Sequence, residues 1–225
     1  MSVLPVRLTS RLWFPDPRLA TRVGSGAGLV AVGGDLTVPR LLLAYRSGLF
    51  PWSEDPISWW SPDPRGVIEF DRFHKSRSLE RVLRSGRFRV TVNQAFLEVM
   101  TGCAAPAPGR EATWIGPAFV AAYTRLHRAG HAHSVECWQG GRLVGGVYGV
   151  AVGGLFAGES MFHRVSDASK VALAHLVDRL RARGFALFDV QMVTGVTLQL
   201  GATEISREEY LRRLAGAVKL PCRFA

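Results

Sequence analysis

Hydrophobic and polar residues alternate along this chain in two periods, one typical of helices and one typical of strands. Helical spacing of apolar residues predicts helices over residues 76–86, 94–103, 117–129 and 207–218. Another helix is expected between a cap at Ser166 and Gly184. Strands are predicted at Val67–Phe70, Phe88–Val92, Ala132–Gln139, Arg142–Val152, Leu155–Phe162 and 186–191. This order predicts a mixed α/β (α+β) sheet flanked by helices.

The first 65 residues have a different character, because they are rich in Pro, Gly and Trp. One helix is predicted there, with Pro39 in its first turn and an apolar stripe that includes Leu41 and Tyr45 and ends at Gly48. Longer periodic elements begin after Pro64. We therefore expect a small N-terminal domain over residues 1–65 and a larger domain over residues 66–225.

Composition narrows the class of protein. The chain has 225 residues, of which 48% are hydrophobic and 20% charged, as in globular proteins. Its apolar runs are too short for a membrane helix, and its N-terminus does not resemble a signal peptide, so we expect a cytoplasmic protein with no membrane partner. Three cysteines without a C-x-x-C motif predict no disulfide framework. His131 and His133 lack a third ligand at metal-site spacing, so no metal is expected.

Positive charge dominates the surface chemistry. The net charge of +10 and the isoelectric point near 10.5 favour a polyanionic partner, with nucleic acid as the leading candidate. Arg77, Arg81 and Arg84 follow one another at helical spacing, with Lys75 just before them. Guanidinium groups on one helix face can bind phosphates. An ordinary solvated helix face is the alternative interpretation.

Two short segments carry candidate chemistry. Asp189 and Gln191 stand two apart in an otherwise apolar strand, so alternation predicts that an acid and an amide share one face. Buried polar groups are costly without partners, so we expect this pair to face a cleft as a catalytic or binding site. Glu159 and Met161 have the same spacing and predict an anion beside an apolar wall, which suits an ammonium group on a hydrophobic ligand. A strand-edge Glu is the alternative.

Several tryptophans stand beside Pro or Gly rather than in regular apolar periods. They are Trp52, Trp59, Trp60 and Trp114. Such rings can stack on a base, although most tryptophans belong to the core. The glycine pattern at residues 24–28 is interpreted as a loop, because no Lys-Ser/Thr follows it.

Long motifs in order make the chain resemble the bacterial leucyl/phenylalanyl-tRNA–protein transferases. They are GLVAVGGDLTVPRLLLAYRSGLFPW, WWSPDPR, HKSRSLERVLRSGRF, TWI, GESMFHR, DASKVAL, DVQ and LGATEISREEYL. The resemblance implies a small N-terminal domain and a larger domain similar to GCN5-type N-acetyltransferases, with a mostly antiparallel sheet. It implies transfer of Leu or Phe, and less readily Met, from aminoacyl-tRNA to the N-terminal Arg or Lys of a protein, which marks that protein for N-end-rule degradation. The expected partners are Leu-tRNA, Phe-tRNA and such acceptor proteins, bound by a monomer.

The same resemblance implies roles for individual residues. Asp189 and Gln191 would lie near the attacking amine. The aminoacyl pocket would comprise Glu159, Met161 and Phe188, although alternation places Phe188 on the face opposite Asp189. Trp52 and Trp114 would contact the terminal adenosine. Lys75, Arg77, Arg81 and Arg84 would bind the tRNA acceptor stem. The ester is already activated, so no cofactor is expected.

One departure from the family pattern follows Gln191. Relatives usually carry a His-Leu pair before S-L-G-A, whereas this chain reads TGVTLQLGA from Thr194, without His. This puts the geometry of that loop in question. Two other functions stay open on the same residues, namely a coenzyme A-dependent acetyltransferase and a noncatalytic RNA-binding protein. An acetyltransferase would need a glycine-containing loop for the pyrophosphate of coenzyme A, and Arg164–Asp167 lacks the usual glycines. An RNA-binding protein would need only the basic stripe.

Overall fold

The computed structural model describes residues 5–21, 24, 26–106 and 113–225. Four short strands pair near the N-terminus in the order β1-β2-β4-β3, and β1 and β2 are parallel. These strands are β1 (Val6–Leu8), β2 (Leu29–Gly33), β3 (Phe50–Glu54) and β4 (Ile57–Trp60). Helix α1 (Val38–Arg46) follows β2, as the stripe ending at Gly48 predicted. In the predicted loop at 24–28, Ser25 lies outside the described residues, and Gly24 and 26–28 form bends and turns.

A larger sheet of seven strands follows, in the order β11-β5-β10-β9-β8-β7-β6. Its strands are β5 (Arg65–Ile68), β6 (Arg89–Val92), β7 (Ala132–Gln139), β8 (Arg142–Val152), β9 (Leu155–His163), β10 (Leu187–Gln191) and β11 (Ala202–Ile205). Every neighbouring pair is antiparallel except β9 and β10, which are parallel. Gly140 and Gly141, both at positive φ, form the tight turn between β7 and β8. The predicted mixed, mostly antiparallel sheet is confirmed.

Helices cover both faces of this sheet. They are α2 (Arg77–Arg84), α3 (Phe96–Ala104), α4 (Pro117–Arg128), α5 (Ala168–Ala182), α6 (Gly195–Gln199) and α7 (Arg207–Ala217). On one face, Val99, Phe119 and other residues of α1, α3, α4 and α7 form the α3–α4 cluster. On the opposite face, Leu173, Leu176 and other residues of α5 pack with Phe156 in the α5 cluster. The sheet therefore lies between two apolar layers.

The two sheets share the α3–α4 cluster, which contains Ala31 of β2 as well as Tyr148 of β8. The change from one sheet to the other falls between Trp60 and Arg65. A division into two domains at residue 65 stays a prediction, because apolar contacts run continuously across that point.

Some helix boundaries differ from those predicted. Helix α5 has Asp167 as its N-cap, in the left-handed region at φ 72°, so the predicted cap at Ser166 is wrong. At α7, the side chain of the N-cap Ser206 accepts a hydrogen bond from the Glu209 N–H. The Glu209 carboxylate, however, accepts hydrogen bonds from Arg212 and Arg213. Elements α6 and β11 were not predicted, and α6 is too short to show helical periodicity.

Candidate active site

Asp189 lies in the middle of the larger sheet and is fully buried. Arg65 of β5 donates to both of its carboxylate oxygens, through Nε at 2.9 Å and Nη2 at 2.7 Å. The Tyr210 hydroxyl donates to Oδ2 at 2.9 Å, and the Gln191 N–H donates to Oδ1 at 2.9 Å. Four hydrogen bonds, two of them from the Arg65 cation, therefore compensate the buried carboxylate.

The prediction that Asp189 and Gln191 face a cleft side by side is wrong. The pairing of β10 with β5 shifts register between these two residues, and Gln191 adopts a left-handed conformation at φ 58°. Strict alternation of faces ends at such an irregularity. The Asp189 carboxylate is enclosed by Arg65 and Tyr210 and does not reach an opening. What it does contact is the backbone of Gln191, so it fixes the position of that residue.

Arg65 connects β10 with the N-terminal sheet. Besides Asp189, it donates to the Gly48 carbonyl oxygen at 3.2 Å. Its guanidinium carbon lies 4.9 Å from the ring centre of Phe50 and 4.4 Å from that of Tyr210. An arginine suits this position because its planar fork pairs with a carboxylate and stacks on rings at the same time.

Strands β9 and β10 separate next to Gln191. Among the described residues, β10 pairs with β9 from Leu187–Leu155 to Asp189–Ala157, whereas β9 continues to His163. The Gln191 amide faces the carbonyl oxygens of Val190 and Gly158, at 3.2 and 2.9 Å, which orients its nitrogen toward them. Its amide oxygen therefore points away from these carbonyls. Ligands of α/β proteins commonly bind at the carboxyl ends of parallel strands.

Glu159 lies where β9 leaves β10. Its Oε2 accepts a hydrogen bond from the Tyr123 hydroxyl at 3.0 Å, and Tyr123 in turn contacts the Tyr45 hydroxyl. The buried Oε1 has no hydrogen-bond partner among the residues that the structure describes. Burial raises the pKa of the Glu159 carboxyl to about 8, although the two tyrosines lower it in part. A donor placed near Oε1 would satisfy this carboxylate.

Glu159 and Met161 do not share a face, so that prediction is wrong. Ser160 pairs with Tyr148 and Gly158 pairs with Gly149, which leaves Glu159 as the extra residue of a β-bulge. The Glu159 side chain therefore reaches Tyr123 in the α3–α4 cluster, whereas Met161 packs against the α5 cluster. The sequence contains no clear signal for this bulge.

Phe188 lies on the face opposite Asp189, as alternation predicted. It is buried in the α5 cluster, where its ring is 5.8 Å from that of Phe156. Met161 packs against the same cluster and lines a cavity of about 590 Å³ at the start of α5, together with His163 and Val196. Polar Glu159 and apolar Met161 and Phe188 thus lie on opposite sides of the sheet, close to the point where the pairing of β9 with β10 ends.

Trp52 and Trp60 face a second cavity. Their rings meet edge to face at 5.1 Å, and Met192, which follows Gln191, lines the same cavity of about 400 Å³. Trp114 is half-buried next to α4, 5.2 Å from the Phe119 ring, and is not among the residues that line this cavity. Trp59 is a core residue whose Nε1 donates to the Gly33 carbonyl oxygen.

The predicted basic stripe is exposed on α2. Arg77, Arg81 and Arg84 line a shallow cavity of about 530 Å³. Arg84 pairs with Glu80 one turn away. Lys75 precedes the helix and donates to both oxygens of Asp178 on α5, so it attaches α2 to α5. Arg77 and Arg81 are therefore the better placed of the four residues to bind a phosphate.

Sequence reasoning missed four residues of this site. Tyr45 and Tyr123 fall in apolar helical stripes, and this pattern conceals their hydroxyl groups. Arg65 could have been found from the sequence, since a charged residue at the start of an apolar strand needs a buried partner. The sequence around Tyr210 gives no comparable indication. Past Gln191, the loop without His forms α6, in which Thr194 and Thr197 cap each other.

Comparison with known proteins identifies the class as a transferase. The sequence profile of leucyl/phenylalanyl-tRNA protein transferase matches residues 67–215, and that of its N-terminal domain matches residues 34–63. A leucyl/phenylalanyl-tRNA–protein transferase from Syntrophobacter fumaroxidans is 55% identical over 216 residues, which cover 94% of this chain and 91% of the relative. One from Solidesulfovibrio magneticus is 53% identical over 207 residues, which cover 91% and 82%. The chain belongs to the leucyl/phenylalanyl-tRNA–protein transferase family, as its motifs predicted, and is an aminoacyltransferase.

Solved structures with low sequence identity are also similar. An aminoglycoside acetyltransferase from an uncultured soil sample has a TM-score of 0.37 at 15% identity, covering 49% of this chain and 82% of that chain. A GCN5-related N-acetyltransferase-like protein from Streptococcus suis has a TM-score of 0.37 at 16% identity, covering 63% and 57%. A likeness at this level says nothing about the reaction. In the part of the chain that the structure describes, no helix has the length and apolarity needed to cross a membrane.

Proposed function

We propose that this protein transfers Leu or Phe, and less readily Met, from aminoacyl-tRNA to the N-terminal Arg or Lys of acceptor proteins and so marks them for N-end-rule degradation. The observation that carries the proposal is the separation of β9 from β10 in a chain of this family, with Gln191 at the end of β10 and Glu159 on the part of β9 that continues alone. An aminoacyl ester placed in that gap would contact both sides of the sheet.

Glu159 is suited to the α-amino group of the donor. Its Oε1 is buried and without a partner among the described residues, and burial raises the pKa of the carboxyl because it disfavours the charged form. An ammonium group beside Oε1 would restore the ionised form by pairing with it. Tyr123 keeps the other oxygen in place, so the direction of Oε1 is fixed.

Met161 and Phe188 are suited to the side chain of the donor. Both belong to the α5 cluster, and Gly158, which has no Cβ, allows the Phe188 ring to lie directly against the backbone of β9. Differences of one methylene are worth about 1–3 kcal/mol in such a pocket. This is enough to favour Leu and Phe over small residues without excluding Met.

Gln191 is suited to the acceptor amine. The amine nitrogen attacks the ester carbonyl, a C–N bond forms, the C–O bond to the ribose breaks, and the proton lost by the amine ends on the ribose oxygen. An α-amino group has a pKa of about 7.7–8.0, so its neutral form costs only about 1 kcal/mol at pH 7, whereas orientation can supply about 7–11 kcal/mol. The Gln191 amide oxygen can accept a hydrogen bond from this amine, and Asp189 acts by holding the Gln191 backbone.

The remaining predicted residues would bind the tRNA. Trp52, in the cavity beside Met192, and Trp114 would contact the terminal adenosine by stacking. Arg77, Arg81 and Arg84 would bind phosphates of the acceptor stem, and Lys75 would act mainly by holding α2 against α5.

Three measurements test the proposal: transfer of label from Phe-tRNA to a peptide, binding of the tRNA, and transfer of label from acetyl-coenzyme A to the same peptide. The protein is incubated with radiolabelled Phe-tRNA and a peptide that starts with Arg, and an N-acetylated copy of the peptide is the control. The expected result is label on the free peptide alone. Binding of tRNA without transfer would instead indicate a noncatalytic RNA-binding protein. Labelling of the peptide from acetyl-coenzyme A, but not from Phe-tRNA, would indicate an acetyltransferase.

A further inference from the structure

A single carboxylate connects the segments that carry Trp52 and Trp114. Glu54 lies on β3 two residues after Trp52, and Gly116, two residues after Trp114, is the N-cap of α4. The Phe119 N–H in the first turn of α4 donates to Glu54 Oε2 at 3.0 Å. A residue 65 positions earlier in the chain therefore caps this helix.

The start of α4 has no capping group of its own. Gly116 has no side chain, Pro117 has no N–H, and no acidic residue stands in the first turn. The first N–H groups of a helix need an acceptor, and a negative charge there also complements the helix dipole. Glu54 supplies both. A Cβ atom on Gly116 would collide with the Glu54 carboxylate, so the glycine permits the close approach.

Helix α4 contacts two residues that the proposed function assigns to the donor, Trp114 and Glu159. The ring of Phe119, whose N–H is the group bound by Glu54, supports the Trp114 ring at 5.2 Å and an interplanar angle of 78°. One turn later, the Tyr123 hydroxyl donates to Glu159. The orientation of the first turn of α4 therefore bears on both the adenosine contact and the amino-group contact.

We propose that Glu54 is a positioning residue for the aminoacyl-tRNA, which acts by holding the first turn of α4 so that Trp114 and Tyr123 are in place before the donor binds. This inference rests on the proposed function. Without the Glu54 bond, a smaller fraction of molecules has Trp114 in the binding geometry, and the apparent affinity falls by that fraction. The transfer step at Gln191 should keep its rate, because Glu54 does not contact Gln191.

Steady-state kinetics of Glu54→Ala with Phe-tRNA test the proposal. We expect KM for Phe-tRNA to rise about fivefold, the change that corresponds to a capping bond of about 1 kcal/mol, while kcat stays within about twofold. Glu54→Gln keeps an acceptor oxygen and should restore most of the affinity. Glu98→Ala, on the exposed face of α3, is the control that removes a similar charge.

A double-mutant cycle separates positioning from a general loss of stability. If Glu54 acts through Trp114, the variant Glu54→Ala/Trp114→Ala should have the KM of Trp114→Ala alone, because the group to be positioned is gone. Should Glu54→Ala fold poorly, Gly116→Ala provides a second perturbation, since it displaces the carboxylate. The proposal would be overturned if Glu54→Ala and Trp114→Ala raised KM independently, so that their effects multiplied in the double variant. It would also be overturned if Glu54→Ala and Gly116→Ala were both active with the wild-type KM. A wild-type protein that transfers no label would overturn the proposed function as well.

Discussion

Replacement of Glu159 with Gln should stabilise the folded protein at neutral pH while it impairs donor binding. The folded-state pKa of Glu159 is raised from 4.5 to about 8, because the carboxyl is buried. Between these two values the folded protein retains a proton that the unfolded chain has released. The stability of the wild type therefore falls as pH rises through this window, and this loss levels off above about pH 8. Because the Gln side chain does not titrate, the stability of the variant does not fall in this pH window.

The size of the effect follows from the width of that window. Each unit of pKa difference corresponds to about 1.4 kcal/mol, so we expect a gain on the order of 3–5 kcal/mol near pH 8. At about pH 4.5 the two proteins should be equally stable. Urea unfolding at several pH values measures this, with equal m-values as the check that the unfolded states are comparable.

The control for this prediction is Glu98→Gln, which makes the same change of charge on an exposed position. It should leave the pH profile of stability unchanged. A Glu159→Gln variant whose stability relative to wild type does not depend on pH would contradict the raised pKa of Glu159 in the folded protein. The same variant should bind Phe-tRNA more weakly than wild type, because a neutral amide cannot pair with an ammonium group.

Three further predictions concern the ion pair, the donor pocket and the basic stripe. Asp189→Asn should lower the free energy of unfolding by about 3–5 kcal/mol, measured with urea, because it leaves the buried Arg65 charge unpaired; a loss below about 1 kcal/mol would contradict the buried pair. Gly158→Ala should reduce the use of Phe-tRNA relative to Leu-tRNA in a competition assay, because its Cβ would lie 3.0 Å from the Phe188 ring, and an unchanged ratio would count against this pocket. Arg81→Glu should flatten the salt dependence of tRNA binding, whereas Arg128→Glu on α4 should not; equal slopes would argue against the stripe.

Local pattern predicted most of the fold. The bounds of β7 and β8 follow from two apolar runs and from the glycine pair between them, and the structure has the same bounds. Alternation also placed Phe188 correctly, because β10 is regular from Leu187 to Asp189. These features depend on neighbours in sequence, which is why a sequence alone reveals them.

The parts of the site that could not be predicted depend on distant residues. The bulge at Glu159 arises from the register between β8 and β9, and the irregularity before Gln191 arises from pairing with β5. Arg65 and Asp189 are 124 positions apart, so only the folded sheet shows that the acid is already paired. The sequence therefore points to Asp189 and Gln191 as an unusual pair, but the side-by-side geometry that it predicts is wrong.

We propose that Gln191, held by the buried Asp189, positions the acceptor amine for transfer. The most direct test is the single-turnover rate of Phe transfer by Gln191→Ala at saturating Phe-tRNA and Arg-peptide. We predict a rate at least about 100-fold below wild type, since lost orientation is worth several kcal/mol, with tRNA affinity unchanged. A variant that transfers Phe at the wild-type rate would contradict the claim.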